Sequence, residues 1–291
     1  MCGFLVVGSS ELELQVFNDA LNQAAYRGPD HQHVSINNGI TWGFNRLSIM
    51  DLSSKGNQPF VYKDCVLVCN GEVYNYHSLK AMLETDYTFK SGSDCEVLIP
   101  LYHKYGIEIL CKFLDAEFAM VIYDAKKDKI LAARDPMGIR PMFYGYHKED
   151  GKICFASEAK GLFPLCQEIM PFPPGHYYED GKFICYNDLS NPKTINNDDL
   201  ETIAINLRLK LEKAVEKRLQ SDAPIGYLLS GGLDSSLVCA IAARLNDQPI
   251  KTFAIGMDTD PIDLKYAKQV ADYLGTDHTE VIMTLLYDQF L

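Results

Sequence analysis

A cysteine directly follows the initiator methionine in the opening stretch MCGFLVVGSS. With Met1 removed, Cys2 carries a thiol and a free α-amine on one carbon. Nucleophile and base then share a residue. A cysteine is only a few per cent thiolate near neutral pH and gains from an adjacent base. A free α-amine, with a pKa of roughly 7.7–8.0, can be that base. Termini are ordinarily frayed, yet this one runs straight into an apolar stretch of strand length.

Four other residues could complete such a site. Asn70 and Gly71, in NGEVYN, can offer a side-chain amide and a backbone N–H to a developing oxyanion. The same dipeptide is also the strongest short hairpin-turn signal, and read that way it ends the strand DCVLVCNG. Arg46, in GFNRLSIMD, has the fork that captures a carboxylate, or is an ordinary ion-paired arginine. Asp94, in SGSDCE, can hold a cation, or simply favours the first turn of a helix. Arg27 in YRGPD and Arg134 in RDPMGIRPMFY read as structural. The seven histidines show no metal-ligand spacing, and the single Trp42 belongs to a core.

A second chemistry-bearing stretch is SGGLDSS, Ser230–Ser236, between an expected strand and helix. Its glycines let backbone approach a ligand closely. The helix start offers unpaired N–H groups to an anion, and Asp234 could hold a cation beside it. The stretch lacks the lysine and spacing of a Walker A loop. A plain glycine turn with a capped helix is the alternative.

The elements that must position these residues follow from periodicity. Strand-length apolar runs recur through the first part: CGFLVVG, GITWGFNRLSI, DCVLVCNG, EFAMVIYD, KILAARD, MFYGYH and KICFASE. A helix is expected over Glu11–Tyr26. Another should open at a Ser93-x-x-Glu96 capping box and end at Gly106. Strands with interspersed helices and no regular βαβ alternation indicate an α+β layered domain over residues 1–186. The polar stretch 187–198 reads as a linker. A helix follows, capped by Asp198-x-x-Glu201, with a buried stripe of Leu200, Ile203, Leu207, Leu211, Val215 and Leu219. Over 199–291 the pattern becomes βαβαβ, the start of a parallel doubly wound sheet. A further helix opens just before Leu291.

Composition sets the remaining bounds. The 291 residues suit about two domains at roughly 150 residues each. Acids outnumber bases 39 to 27, a net charge of −12, which disfavours nucleic acid as a partner. Nine scattered cysteines without a C-x-x-C indicate a reducing, cytoplasmic setting. The N-terminus lacks the features of a signal peptide, and no stretch has the roughly 20 apolar residues of a membrane span.

Taken in order, Cys2-Gly3, YRGPD, NRLSIMD, NGEVYN, SGSDCE, RDPMGIRPMFY, SEAKGL and PPGHYY resemble the class II glutamine amidotransferase domain. LLSGGLDSS, TFAIG and LKYAKQVADYLGT then resemble the ATP-pyrophosphatase domain of glutamine-dependent asparagine synthetases. The resemblance implies an N-terminal-nucleophile αββα sandwich followed by a partial α/β parallel-sheet domain. It implies that Cys2 attacks glutamine and that Asn70 and Gly71 form the oxyanion hole. Arg46 would grip the α-carboxylate, and Asp94 with Glu72 the α-ammonium. The backbone of Arg46, Leu47, Ser48, Ile49 and Met50 would line the pocket.

For the second domain it implies ATP with Mg²⁺, aspartate as acceptor, and no tightly bound organic cofactor. Leu229, Ser230, Gly231, Gly232, Asp234, Ser235, Ser236 and Ile255 would meet the nucleotide, with Asp234 on the Mg²⁺. A homodimer is compatible with it. The family's synthetase domain is longer than the part present, so the expectation is an intact glutaminase half and an incomplete synthetase half. Two other readings stay open. One is a related ATP-dependent amidotransferase with another carboxylate acceptor. The other is a truncated, non-catalytic regulator or dimer partner. β-Lactam synthetases share the architecture but generally lack the N-terminal cysteine.

Overall fold

The five apolar residues of β1 (Gly3–Val7) are all buried, as a strand covered on both faces requires. Their side chains alternate. Phe4 and Val6 enter one apolar cluster, and Leu5 and Val7 enter another on the opposite face. The computed structural model describes residues 1–9, 11–192, 194–259 and 262–284.

After β1 come α1 (Leu14–Asn22), β2 (His31–Asn37), β3 (Ile40–Arg46), β4 (Phe60–Tyr62) and β5 (Cys65–Val73). Then follow α2 (Tyr76–Leu83), α3 (Leu98–Phe113), β6 (Ala116–Asp124) and β7 (Lys129–Arg134). β8 (Phe143–His147), β9 (Ile153–Ala156), β10 (Cys166–Pro171), β11 (His176–Glu179) and β12 (Lys182–Cys185) complete the first unit. One antiparallel sheet has the order β10-β8-β9-β1-β3-β2, the other β12-β11-β7-β6-β5-β4. Phe4, Val6, Trp42 and Phe44 of the first sheet meet Val68, Ala119, Val121 and Ala132 of the second. On the outer faces, α1 packs Phe17 and Leu21 on Leu5 and Val7, and α2 and α3 pack Leu79, Leu98 and Leu101 on Leu67 and Phe118. The order helix, sheet, sheet, helix is the expected αββα sandwich.

Several local expectations are corrected. The helix expected over 11–26 is shorter. Asn45 Nδ2 donates to the Leu21 carbonyl, which also accepts from Ala24 N–H, so the α-helical ladder stops and a 3₁₀ turn takes over at Ala25–Arg27. Ser93 and Glu96 do not form a capping box. Ser93 Oγ accepts from Cys95 N–H, but the Glu96 carboxylate turns back to accept from Tyr87 OH, Lys90 N–H and Ser91 N–H. Gly106 (φ +79°) kinks α3 without ending it. Asn70-Gly71 is no turn, because β5 runs on to Val73, paired with β6 throughout. Strands β2, β4, β10, β11 and β12 were not anticipated. They are short or lie at or near sheet edges, and several are polar.

The chain divides into compact units between Ile195 and Asn196. The second contains α4 (Leu200–Lys217), β13 (Gly226–Leu228), α5 (Leu233–Leu245), β14 (Lys251–Met257), α6 (Ile262–Leu274) and β15 (Asp277–Met283). β13, β14 and β15 are parallel and adjacent in that order. Asp199 caps α4 in place of Asp198, accepting from Thr202 N–H at 2.8 Å. The expected stripe of α4 is only partly covered. Val215 is buried and Leu211 and Leu219 are half-buried, while Leu200 (83% exposed) and Leu207 (63%) face solvent. The helix expected before Leu291 lies outside the described residues.

Candidate active site

Cys2 is fixed by its neighbours on the first sheet. Arg27 Nε donates to the Cys2 carbonyl at 2.9 Å, and Arg27 pairs with Glu158 at 3.1 Å. Ser157 exchanges hydrogen bonds with the backbone of Phe4, both 3.0 Å. Arg27 therefore positions the backbone of Cys2. Arg134 is structural too, donating to the carbonyls of Gly138, Arg140 and Phe172. The half-buried Cys2 Sγ lies 3.4 Å from Leu47 N–H, which donates to it, and 3.5 Å from the Leu47 carbonyl. Burial pushes the thiol pKa up, opposed by the hydrogen bond from Leu47. With Met1 present, the nitrogen of Cys2 is a peptide amide and the free amine belongs to Met1. Burial pushes that amine's pKa down, helped by Arg27 and Arg140, against Cys2 and Glu72.

Asn70 is 1% exposed, and its Nδ2 is buried with no hydrogen-bond partner among the described residues. Buried donors are rarely left unpaired, and each such case calls for an explanation. An oxyanion supplied by a substrate is one. Gly71 is packed so closely that a Cβ there would lie 2.6 Å from the Glu117 carbonyl oxygen and 3.0 Å from Cys69 Sγ. Glu72, the next residue on β5, lies close enough to the Cys2 thiol to raise its pKa further when ionised.

Beyond Gly71 lies an acidic group that strand register creates. Glu72 on β5 stands opposite Glu117 on β6. Like charges so placed repel. Arg140, 3.6 Å from Glu117, reduces the repulsion. Asp94 is buried and accepts from Val73 N–H at 2.6 Å. Burial pushes its pKa up, partly offset by that bond. Burial, with Asp94 next and Glu117 also contributing, pushes Glu72 up to about 8 despite Arg140. Among the described residues no group of three or more His, Cys, Asp or Glu could hold a metal ion.

Arg46 is buried and its guanidinium is engaged by the loop that follows it. Its NH1 donates to Ser53 O at 2.6 Å and Asn57 Oδ1 at 2.7 Å. Its NH2 donates to the carbonyls of Met50, at 3.3 Å, and Asp51. The guanidinium organises the loop 47–57, and Gly56 lies directly beneath it, where a Cβ would push NH2 aside.

In the second unit, Gly232 precedes α5, and Ser230 and Ser235 are joined through their hydroxyls at 2.9 Å. Ser236 Oγ is buried without a partner among the described residues. Leu229 is buried in the core, so only its backbone can meet a ligand, whereas Ile255 is 58% exposed. Gly231 has φ +77°, and a Cβ there would lie 2.5 Å from Ala267 N. Gly231→Ala is expected to destabilise this unit by about 1–3 kcal/mol or more. Thermal unfolding of the variant should begin at lower temperature than wild type.

Sequence reasoning missed Glu117, Arg140 and Asp51. Arg140 was within reach, since it lies in the same RDPMGIRPMFY stretch that drew attention to Arg134. Glu117 requires strand register, and Asp51 requires the course of a loop.

Residues 1–175 match the glutamine amidotransferase domain family, and residues 206–285 match asparagine synthase. Two solved structures share the fold. One, described as the allosteric regulatory enzyme of purine biosynthesis, has a TM-score of 0.55 at 15% identity, covering 98% of this chain and 80% of its own. The other is glutamine phosphoribosylpyrophosphate amidotransferase from B. subtilis, with a TM-score of 0.53 at 17% identity, covering 96% and 65%. The two sheets, their helices and the family match thus define an N-terminal-nucleophile amidotransferase domain, followed along the chain by part of a synthetase domain.

Among curated relatives, a probable glutamine-hydrolyzing asparagine synthetase of Schizosaccharomyces pombe is 38% identical over 98% of this chain and 56% of its own length. The glutamine-hydrolyzing asparagine synthetase of Zea mays is 40% identical over 98% and 50%. Asparagine synthetase B of Escherichia coli K12 is 40% identical over 89% and 49%. The chain belongs to the glutamine-hydrolysing asparagine synthetase family, and it spans about half the length of these relatives.

Proposed function

We propose that the first unit hydrolyses glutamine, and that the whole protein uses the ammonia for ATP-dependent amidation of aspartate. The observation that carries the glutaminase reading is the unpaired, buried Asn70 Nδ2 beside Gly71, at the strand end that acts on Cys2. After removal of Met1, the Cys2 amine takes the thiol proton and Sγ bonds to the side-chain amide carbon. Asn70 and Gly71 donate to the resulting oxyanion. The amine returns the proton to the leaving nitrogen as the C–N bond breaks, giving ammonia and a thioester. Water then attacks the thioester carbon, the amine again accepting a proton; the C–S bond breaks, the amine returns the proton to Sγ, and glutamate leaves. The backbone walls held by Arg46 receive the α-carboxylate, and Glu72 with Asp94 the α-ammonium.

For the second unit, the reading rests on the turn at Gly231 and Gly232, the start of α5 and the unpaired Ser236 hydroxyl, which suit the phosphates of ATP. Asp234, in the first turn, supplies one carboxylate. Magnesium in nucleotide sites is commonly held by one or two carboxylates together with substrate phosphates, so Asp234 would hold it with ATP. The cytoplasm is the proposed setting, on the strength of nine free cysteines. The test is to supply the full-length protein with glutamine, aspartate and ATP–Mg²⁺. Asparagine, glutamate and AMP should form together. Glutamate without asparagine would favour another acceptor, and absence of all three products would refute the reading.

Glu72 gives this site a pH dependence. A carboxyl must be ionised to hold an ammonium, and burial with the neighbouring Asp94 pushes the pKa of this one up to about 8. The KM for glutamine should fall as pH rises toward that value, and binding near pH ~7 should release a proton. Calorimetry in buffers of different ionisation enthalpy reads the proton. Glu72→Gln should weaken binding and remove most of the release.

A further inference from the structure

Two loops form the α-substituent end of the proposed glutamine pocket, and one side chain joins them. The first loop, 47–57, hangs from Arg46, whose NH2 donates to the Asp51 carbonyl. The second, Ser91–Asp94, delivers Asp94 to Val73 N–H. Asp51 Oδ2 accepts from Gly92 N–H at 2.8 Å, across 41 residues of sequence. Its Oδ1 accepts from Ser53 N–H at 3.0 Å and Ser53 Oγ at 2.6 Å. Asp51 adopts φ +56°, a left-handed conformation that Asp and Asn tolerate better than most residues. Its carbonyl is thereby held by Arg46 while its carboxylate reaches the other loop.

We propose that Asp51 is a positioning residue that sets the gap between the carboxylate-receiving and ammonium-receiving walls, and so makes the site selective for substrates carrying both α-groups. The inference rests on the glutaminase reading above. Each loop is anchored separately, one on Arg46 and one on Val73, so loss of the Asp51 link lets them move apart without unfolding either. Hydrogen bonds to a charged carboxylate are stronger than neutral ones. Burial raises the Asp51 pKa, but the bonds from Ser53 and Gly92 and the charge of Arg46 more than offset it, so the carboxylate is ionised at neutral pH. Leu47, which holds Cys2 Sγ, is the first residue of loop 47–57 and directly follows Arg46, whose pairing with His31 in β2 fixes that end of the loop, so the chemical step should survive.

Two variants of the full chain with Met1 removed test this. Asp51→Gly deletes the link while keeping the left-handed backbone accessible. Asp51→Asn keeps the conformation and one acceptor oxygen. Initial rates are measured with glutamine and with glutaramate, which lacks the α-amine, and Cys2 alkylation by iodoacetamide is timed in parallel. Asp51→Gly should raise the glutamine KM about 10-fold or more with kcat within about 3-fold, the split expected for lost binding that is uniform along the reaction. It should narrow the preference for glutamine over glutaramate by a similar factor. Asp51→Asn should fall between it and wild type, and alkylation should match wild type in both. An unchanged KM and preference in Asp51→Gly would overturn the proposal. So would a fall in kcat and alkylation together, because that is general disruption of the site. Failure of the wild-type chain to hydrolyse glutamine would instead overturn the glutaminase reading itself.

Discussion

Protein that retains Met1 is expected to hydrolyse glutamine about 10²–10⁴-fold more slowly than protein beginning at Cys2, the range general-base catalysis contributes. The thiol is the reason a base is needed. Burial pushes the Cys2 pKa up, so little thiolate forms unaided. With Met1 in place the nearest nitrogen is an amide, whose lone pair is delocalised and does not accept the proton. The Met1 amine is one residue further out. Removing Met1 brings the amine onto the Cys2 α-carbon, where the same surroundings of Arg27, Arg140 and partial burial should hold it below its ordinary pKa, as they do the Met1 amine. A lowered amine pKa leaves more of it free to accept the thiol proton at neutral pH. Intact mass and glutaminase rate, measured on preparations with and without methionine aminopeptidase treatment, check this. Equal rates with Met1 shown to be retained would exclude the amine as base.

Asn70→Ala should lower kcat by about 10²–10³ with much less effect on KM, the behaviour of an oxyanion donor whose bond strengthens in the transition state. The orphaned Nδ2 makes a further outcome specific to this site. A buried donor without a partner costs roughly 1–3 kcal/mol, and truncation relieves that cost while opening a small cavity. The variant should therefore lose far more activity than stability. Kinetics and thermal unfolding on the same preparation decide the matter. A loss of activity that tracks a large loss of stability would make Asn70 a structural residue of β5.

Much of the first unit was legible because its central strands bury both faces. Gly3–Val7, Ala116–Asp124 and Lys129–Arg134 carry apolar runs that admit little else. Edge strands such as His31–Asn37 are half solvated, so their polar residues mask them. Asn70-Gly71 misleads because turn propensity is local, whereas the pairing of Gly71 with Phe118 is set by β6. The identities at the site were legible as a constellation of types, but their partners were not. Arg46 is satisfied mostly by backbone carbonyls, which leave no mark in sequence. Glu72 meets Glu117 only through register, and Asp51 meets Gly92 only through the folding of two loops. In the second unit the βαβαβ order was read correctly, but the α4 stripe was over-read. Its 3.6-residue period states which face could be buried, and α5 covers only its C-terminal half, where Arg244 pairs with Glu212.

The central claim is that Cys2, freed of Met1, becomes acylated by glutamine. The direct measurement is rapid acid quenching of the enzyme during turnover, followed by intact mass and peptide mapping. A γ-glutamyl group on the Cys2 thiol should appear and decay with glutamate release, and should be absent when Met1 is retained or Cys2 is replaced by Ala. Glutamate release at the wild-type rate from the Cys2→Ala protein, with no acylated species, would contradict the account.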